Sequence, residues 1–272
     1  MPISRALRLL ILLLAALCPG CAGFVVKQFA FHPERVPASQ PEIRSPGIEE
    51  LQIESTDGTM LQAFFFENET SNRAVIYLHG NAGNAYHRLG DAREIAGLDA
   101  NVLLLSYRGY GKSQGSPSER GVYRDGEAAL RWLEARGYPR SRILILGRSI
   151  GSAVAVEVAR NAAEEQPIAG LILVTPLLTG REVARAHGLG WIAWLAGRPF
   201  DNGEKIAEVD CPLLLVHGDQ DRVIPIEQGL ELFERHPGPK QLLRVPGANH
   251  QNVLQVAGEE YRRRVEATLA GE

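Results

Sequence analysis

Short runs of consecutive apolar residues alternate along this chain with segments whose apolar positions repeat at helical spacing. Residues 74–78, 102–105, 143–146, 170–174 and 213–216 are unbroken apolar runs, and 242–245 completes the series. A run of that length without polar alternation reads as a strand buried on both faces. Between the runs, residues 119–136 place Val122, Ala129, Leu130 and Leu133 on one helical face, and 152–163 and 226–235 also read as helices. Residues 252–269 close the chain as a charged amphipathic helix. Buried strands that alternate with helices require an α/β fold, a mostly parallel twisted sheet with helices on both faces. Residues 51–54 and 61–64 flank Asp57-Gly58, a dipeptide suited to a tight turn, so an antiparallel hairpin precedes the parallel part.

These patterns divide the chain. Residues 1–23 form a leader, 24–48 an extended lead-in punctuated by Pro33, Pro37, Pro41 and Pro46, and 49–272 the domain. Residues 176–208 are too long for one crossover and carry Trp191, Trp194 and Phe200, so they read as a small helical cap over the sheet's C-terminal edge. With 45% hydrophobic and 22% charged residues the chain is neither disordered nor fibrous. A formal net charge of -3 with interspersed signs and no basic block excludes nucleic acid as the expected partner.

In the leader, Arg5 and Arg8 precede the apolar run 9–18 and the small residues around Gly20-Cys21. That is the layout of an export signal, and the run is short of the ~20 residues a membrane span needs. Gly20-Cys21 resembles a bacterial lipoprotein cleavage site, although Cys18 stands where leucine is usual there. A lipidated Cys21, plain secretion and an uncleaved anchor all remain open. The protein is expected outside the cytoplasm, with attachment to a membrane through its N-terminus as one option. Cys18-Pro-Gly-Cys21 has redox spacing but closes an apolar leader instead of opening a helix, and lone Cys211 reads as a packed core thiol.

Gly147-Arg148-Ser149-Ile150-Gly151 lies between a buried strand and a helix. A strand–turn–helix elbow of this kind needs glycine on both sides of the serine, and it lifts the hydroxyl above the sheet at a helix N-terminus. Serine is a weak nucleophile without a base. In such an arrangement the partners follow in the order serine, acid, histidine. The strand 213–216 is followed by both Asp219 and Asp221, and the last strand by His250 in Pro246-Gly247-Ala248-Asn249-His250. His79 and His217 each precede a glycine at a strand end and read as packed, hydrogen-bonded residues. An oxyanion needs two backbone N–H donors. Ile150 supplies one and the loop 79–84 the other, with Asn81 first and Ala82 as the alternative. Gly109-Tyr110-Gly111-Lys112-Ser113 ends like a phosphate-binding loop, but Ser106 stands where that motif needs glycine. No metal-ligand pattern is present in the sequence.

Over residues 49–265 the chain resembles the Bem46-like and ABHD13/ABHD17-like serine hydrolases of the α/β-hydrolase superfamily. The resemblance is carried by Tyr77-Leu78-His79-Gly80-Asn81-Ala82-Gly83-Asn84, Ser106-Tyr107-Arg108-Gly109-Tyr110-Gly111-Lys112-Ser113, Gly147-Arg148-Ser149-Ile150-Gly151-Ser152, and the segments around Asp221 and His250. It implies Ser149, Asp221 and His250 as a catalytic triad, Asn81 and Ile150 as oxyanion donors, and no cofactor. It implies hydrolysis of an ester, thioester or amide of a small-molecule or acylated-protein substrate through an acyl-enzyme. An apolar cap around Trp191 and Trp194 points to a fatty or aromatic group. The rival expectation is a catalytically inactive binding or scaffold protein on the same fold.

Overall fold

The computed structural model describes residues 30–37, 39–190 and 197–271. In chain order its first strands are β1 (His32–Pro33), β2 (Arg44–Ser45), β3 (Ile48–Glu54), β4 (Met60–Phe66), β5 (Ala74–Leu78) and β6 (Ala82–Gly83). Helix α1 (Leu89–Ala96), β7 (Asn101–Leu105), α2 (Glu119–Ala135), β8 (Ile143–Arg148), α3 (Gly151–Ala163) and β9 (Gly170–Val174) follow. Between β9 and β10 lie α4 (Gly180–Ala186) and α5 (Asn202–Lys205). The chain ends with β10 (Leu213–Gly218), α6 (Ile226–Arg235), β11 (Lys240–Val245) and α7 (Val253–Ala270).

Strands β5, β7 and β9 are buried at every position, as unbroken apolar runs demand. They lie in a nine-stranded sheet of order β11-β10-β9-β8-β5-β7-β4-β3-β2. Pairing is parallel from β11 through β7 and antiparallel from β7 to β2. Side chains alternate between two cores. Ile76 and Leu78 pack with Val122, Leu133 and Val154 of α2 and α3, whereas Val75 and Tyr77 pack with Ile95 of α1 and Val265 of α7. From β5 the chain moves outward to β7, and from β8 it moves outward the other way through β9, β10 and β11. Loops leaving the carboxyl ends of β5 and β8 therefore face each other across a crevice, the place where such sheets bind ligands.

Three features go beyond the sequence reading. Helix α1 was not legible, because its eight residues bury only Ala92 and Ile95. The lead-in is partly built into the domain: β1 pairs in parallel with β6, and Phe31 is buried edge-on to Phe200. The segment 106–113 that imitates a phosphate loop is spent internally. Ser113 Oγ donates to the Ser106 carbonyl and accepts from Gln62 N–H.

Within that segment the Arg108 guanidinium is buried. It donates from Nε and Nη2 to Asp125 of α2 at 2.9 and 2.7 Å, and from Nη1 to Asp57 of the hairpin turn at 2.8 Å. Removing one partner of a buried ion pair strands the other charge, which costs about 3–5 kcal/mol. Because Asp57 still faces Arg108, Asp125→Ala should cost about 3 kcal/mol of unfolding free energy, read from urea titration.

Candidate active site

The turn after β8 sets the site. Ser149 has φ of +54°, in the left-handed region that a non-glycine residue occupies only under constraint. The constraint is crowding from both sides. A Cβ on Gly147 would lie 2.7 Å from both Ser152 Cα and Ala155 Cβ, and one on Gly151 would lie 2.7 Å from the His79 carbonyl oxygen. Glycine at both positions lets α3 press against β5 and points Ser149 Oγ into the crevice. Ser149 remains 9% exposed, enough for a ligand to reach it.

His250 follows β11 and meets Ser149 across 101 positions of sequence, with Nε2 3.1 Å from Oγ. Its Nδ1 lies 2.7 Å from Asp221 Oδ2. An ionised carboxylate only accepts, so Nδ1 carries the proton and Nε2 is left to accept from the serine hydroxyl. Burial opposes ionisation of Asp221. Hydrogen bonds from His217, His250 and the Ile224 N–H outweigh it and hold the carboxyl well below the usual range. Its Oδ1 takes the Val223 and Ile224 N–H groups, each at 2.9 Å. The other candidate acid, Asp219, is elsewhere: its Oδ1 accepts from Gly247 N–H at 2.8 Å and closes the loop that bears His250. His217 lies buried behind Asp221, its Nε2–H donating to the Ile224 carbonyl at 2.9 Å.

The loop after β5 is held from below. His79 Nδ1–H donates to the Gly80 carbonyl at 2.7 Å. In a trans peptide the following N–H points the opposite way, so the Asn81 N–H is aimed away from the His79 ring. Tyr107 Oη donates to the His79 carbonyl at 3.1 Å, and Tyr110 Oη to the Asn81 carbonyl at 2.7 Å. The lead-in adds His32 N–H to the same Asn81 carbonyl at 3.1 Å. Ile150 sits at the N-terminus of α3 with helical φ and ψ. Tyr107, Tyr110 and His32 were not singled out by sequence reading. The only signal for the two tyrosines was their place in a motif whose role the sequence does not disclose.

His79 is fully buried, and its Nε2 has no partner among the described residues. Burial, reinforced by the positive charge of Arg88 and opposed by the bond to Gly80, pushes its pKa down to about 4 from 6.5. The unfolded chain thus takes up a proton that the folded chain refuses, and stability falls as pH drops from 6.5 towards 4. The full shift is worth about 3 kcal/mol. Urea unfolding at pH 7 and pH 4.5 should show a smaller acid loss in His79→Asn, which retains a donor for Gly80 and does not titrate.

Among the described residues no cluster of three or more His, Cys, Asp or Glu side chains could hold a metal ion. Burial pushes the Cys211 thiol up to about 12, so it remains protonated. No described helix is long and apolar enough to cross a membrane. The leader with Cys18 and Cys21, and the cap residues Trp191 and Trp194, lie outside the described residues.

Comparison with known proteins gives a consistent picture. Residues 69–204 match the family model described as serine aminopeptidase, S33. An uncharacterized protein of Mycobacterium tuberculosis, Rv2307c, is 31% identical over 251 residues, covering 88% of this chain and 86% of its own length. The mouse lysophosphatidylserine lipase ABHD12 is 34% identical over 190 residues, which is 63% of this chain but 48% of that protein. The chain therefore spans about half the length of this lipase. Among solved structures, the Pyrococcus furiosus esterase Pf2001 superposes with a TM-score of 0.69 at 23% identity, covering 89% of this chain and 97% of that one. At that identity the likeness speaks for the fold.

Proposed function

The chain belongs to the α/β-hydrolase family, in the branch described as serine aminopeptidase, S33, and from that premise we propose that it is a serine hydrolase working through an acyl-enzyme. The observation that carries this reading is the unbroken relay from Ser149 Oγ through the His250 ring to Asp221, with steps of 3.1 and 2.7 Å. Ser149 attacks the acyl carbon as its proton passes to His250 Nε2, and Asp221 stabilises the imidazolium. The oxyanion is received by the N–H groups of Asn81 and Ile150. His250 gives its proton to the leaving group, then activates the water that attacks the acyl carbon and frees Ser149. This chain's residues suffice for each step, so no cofactor is invoked.

The substrate in this reading is an ester, thioester or amide, either small or borne by an acylated protein. Likeness to a lysophosphatidylserine lipase supports testing acyl esters first. The apolar leader supports a site of action outside the cytoplasm, secreted or held at a membrane through the N-terminus.

The test is labelling of the purified protein with a fluorophosphonate probe, beside Ser149→Ala and His250→Ala. Labelling of the wild type that disappears in both variants is the expected result, to be followed by a panel of acyl esters of graded chain length. A folded wild type that never labels would favour the binding-protein reading.

A further inference from the structure

We propose that Arg148, the residue directly before the nucleophile, is a positioning residue that holds the backbone of the His250 loop; the inference rests on the triad reading above. Arg148, whose backbone adjoins Ser149, is 9% exposed. Its Nη2 donates to the Gln251 carbonyl at 2.9 Å and the His250 carbonyl at 3.3 Å. Its Nη1 lies 3.5 Å from Asp91 Oδ2 of α1, and Tyr77 Oη of β5 donates to the same oxygen at 3.0 Å. The guanidinium is therefore charge-balanced and held in orientation from two further elements.

Asp219 fastens the loop at Gly247 and Gln220 N–H at the Ala248 carbonyl, both before His250, and the contacts nearer the ring explain why Arg148 matters. Asn249 and Asn252 bond one another's backbone, with Asn249 N–H on Asn252 Oδ1 at 2.8 Å and Asn252 N–H on Asn249 Oδ1 at 3.1 Å. Gln251 N–H also donates to Asn249 Oδ1, at 2.9 Å. These bonds shape the turn without tying it to Ser149. Asp221 ties down the ring at Nδ1 but not the peptide that bears it. Arg148, covalently attached to the nucleophile, bonds that peptide directly, so base and serine are held together. Nη2 donates to both carbonyls while Nη1 faces Asp91, a fixed two-sided geometry that a single ammonium does not reproduce.

The consequence is kinetic. The Ser149 to His250 distance of 3.1 Å is at the long end of the range for a proton handed on within a hydrogen bond. A displacement of about 1 Å costs on the order of 10²-fold in rate. Arg148 touches no reacting atom, so its loss should fall on kcat and leave KM nearly alone.

The experiment uses full-length wild type, Arg148→Met, which retains the aliphatic stem without the donors, and Arg148→Lys. Active serine is titrated with a fluorophosphonate burst, and kcat and KM on a soluble short-chain p-nitrophenyl ester are expressed per titrated site. In Arg148→Met the expected result is a 10- to 100-fold fall in kcat per site, with KM within about twofold. Arg148→Lys should recover part of that loss, since its ammonium can donate to the loop carbonyls but cannot face Asp91 at the same time in the guanidinium's geometry. A merely structural role would lower the melting temperature and the fraction of titratable serine, yet leave kcat per titrated site unchanged. That outcome overturns the inference. Should Arg148→Met not fold, Arg148→Gln, too short to reach the loop carbonyls, takes its place, and unchanged kcat per site there overturns the inference equally. Failure of the wild type to label would instead sink the triad reading, so the two failures are distinct.

Discussion

Ser149→Ala is expected to lower kcat on a simple acyl ester by about 10⁵- to 10⁶-fold, with stability within about 1 kcal/mol of the wild type. The size follows from the geometry. In the proposed mechanism the serine hydroxyl forms the acyl bond, and among the described residues its side-chain partner is His250 Nε2, 3.1 Å away. His250→Ala should cost a similar factor, because an unassisted hydroxyl attacks poorly at neutral pH. The double variant should be hardly worse than either single one, since the residues act as a unit. Asp221→Ala should differ in kind. Its Oδ1 also satisfies the Val223 and Ile224 N–H groups, so both turnover and stability should fall. Steady-state kinetics with urea unfolding on the same preparations separates the two effects. Turnover in Ser149→Ala within about tenfold of the wild type would end the assignment of Ser149 as nucleophile.

The second large effect is expected at Gly151, the last residue of the elbow. An added Cβ would fall 2.7 Å from the His79 carbonyl oxygen and still closer to that of Leu78. Both are backbone atoms at the end of β5, a fully buried strand paired on both edges, so neither can yield without moving the sheet. Gly151→Ala should therefore cost about 3–5 kcal/mol, at the upper end of point substitutions, and lower the melting temperature by about 10 °C. Activity should fall as well, because Leu78 and His79 lead directly into the loop that carries Asn81. Gly90 in α1 is the control. A Cβ there meets nothing within 4 Å, and Gly90→Ala should be neutral or slightly stabilising by about 0.5–1 kcal/mol. Melting curves of the two variants decide the matter: equal behaviour would show that the elbow does not need glycine at its end.

Where the residues needed for an inference are neighbours in sequence, the reading was close to the structure. The unbroken run 74–78 coincides with β5, and 226–235 with α6. The elbow was legible because strand, turn and helix are contiguous, and glycine on both sides of a serine reports crowding directly. Helix α1 was missed because a short element that buries two side chains leaves almost no periodic signal. The role of Arg108 was invisible because its partners lie 17 and 51 positions away.

The division follows a physical line. By itself the sequence determined what local forces decide: which of the longer segments are strands or helices, that the sheet is mostly parallel, and where a strained serine turn sits. Tertiary structure alone decided which long-range partners meet. Asp219 and Asp221 both follow β10; the resemblance favours Asp221, and the packing of β10 beside β11 puts Asp221 against the His250 ring and Asp219 under the Gly247 turn. Likewise, the order that sets β5 beside β7 brings Tyr107 and Tyr110 beneath the Asn81 loop, where the lead-in joins them. Hydrogen bonds between groups as much as about 100 residues apart have no signature in local composition or period, because their geometry exists only once the sheet has assembled.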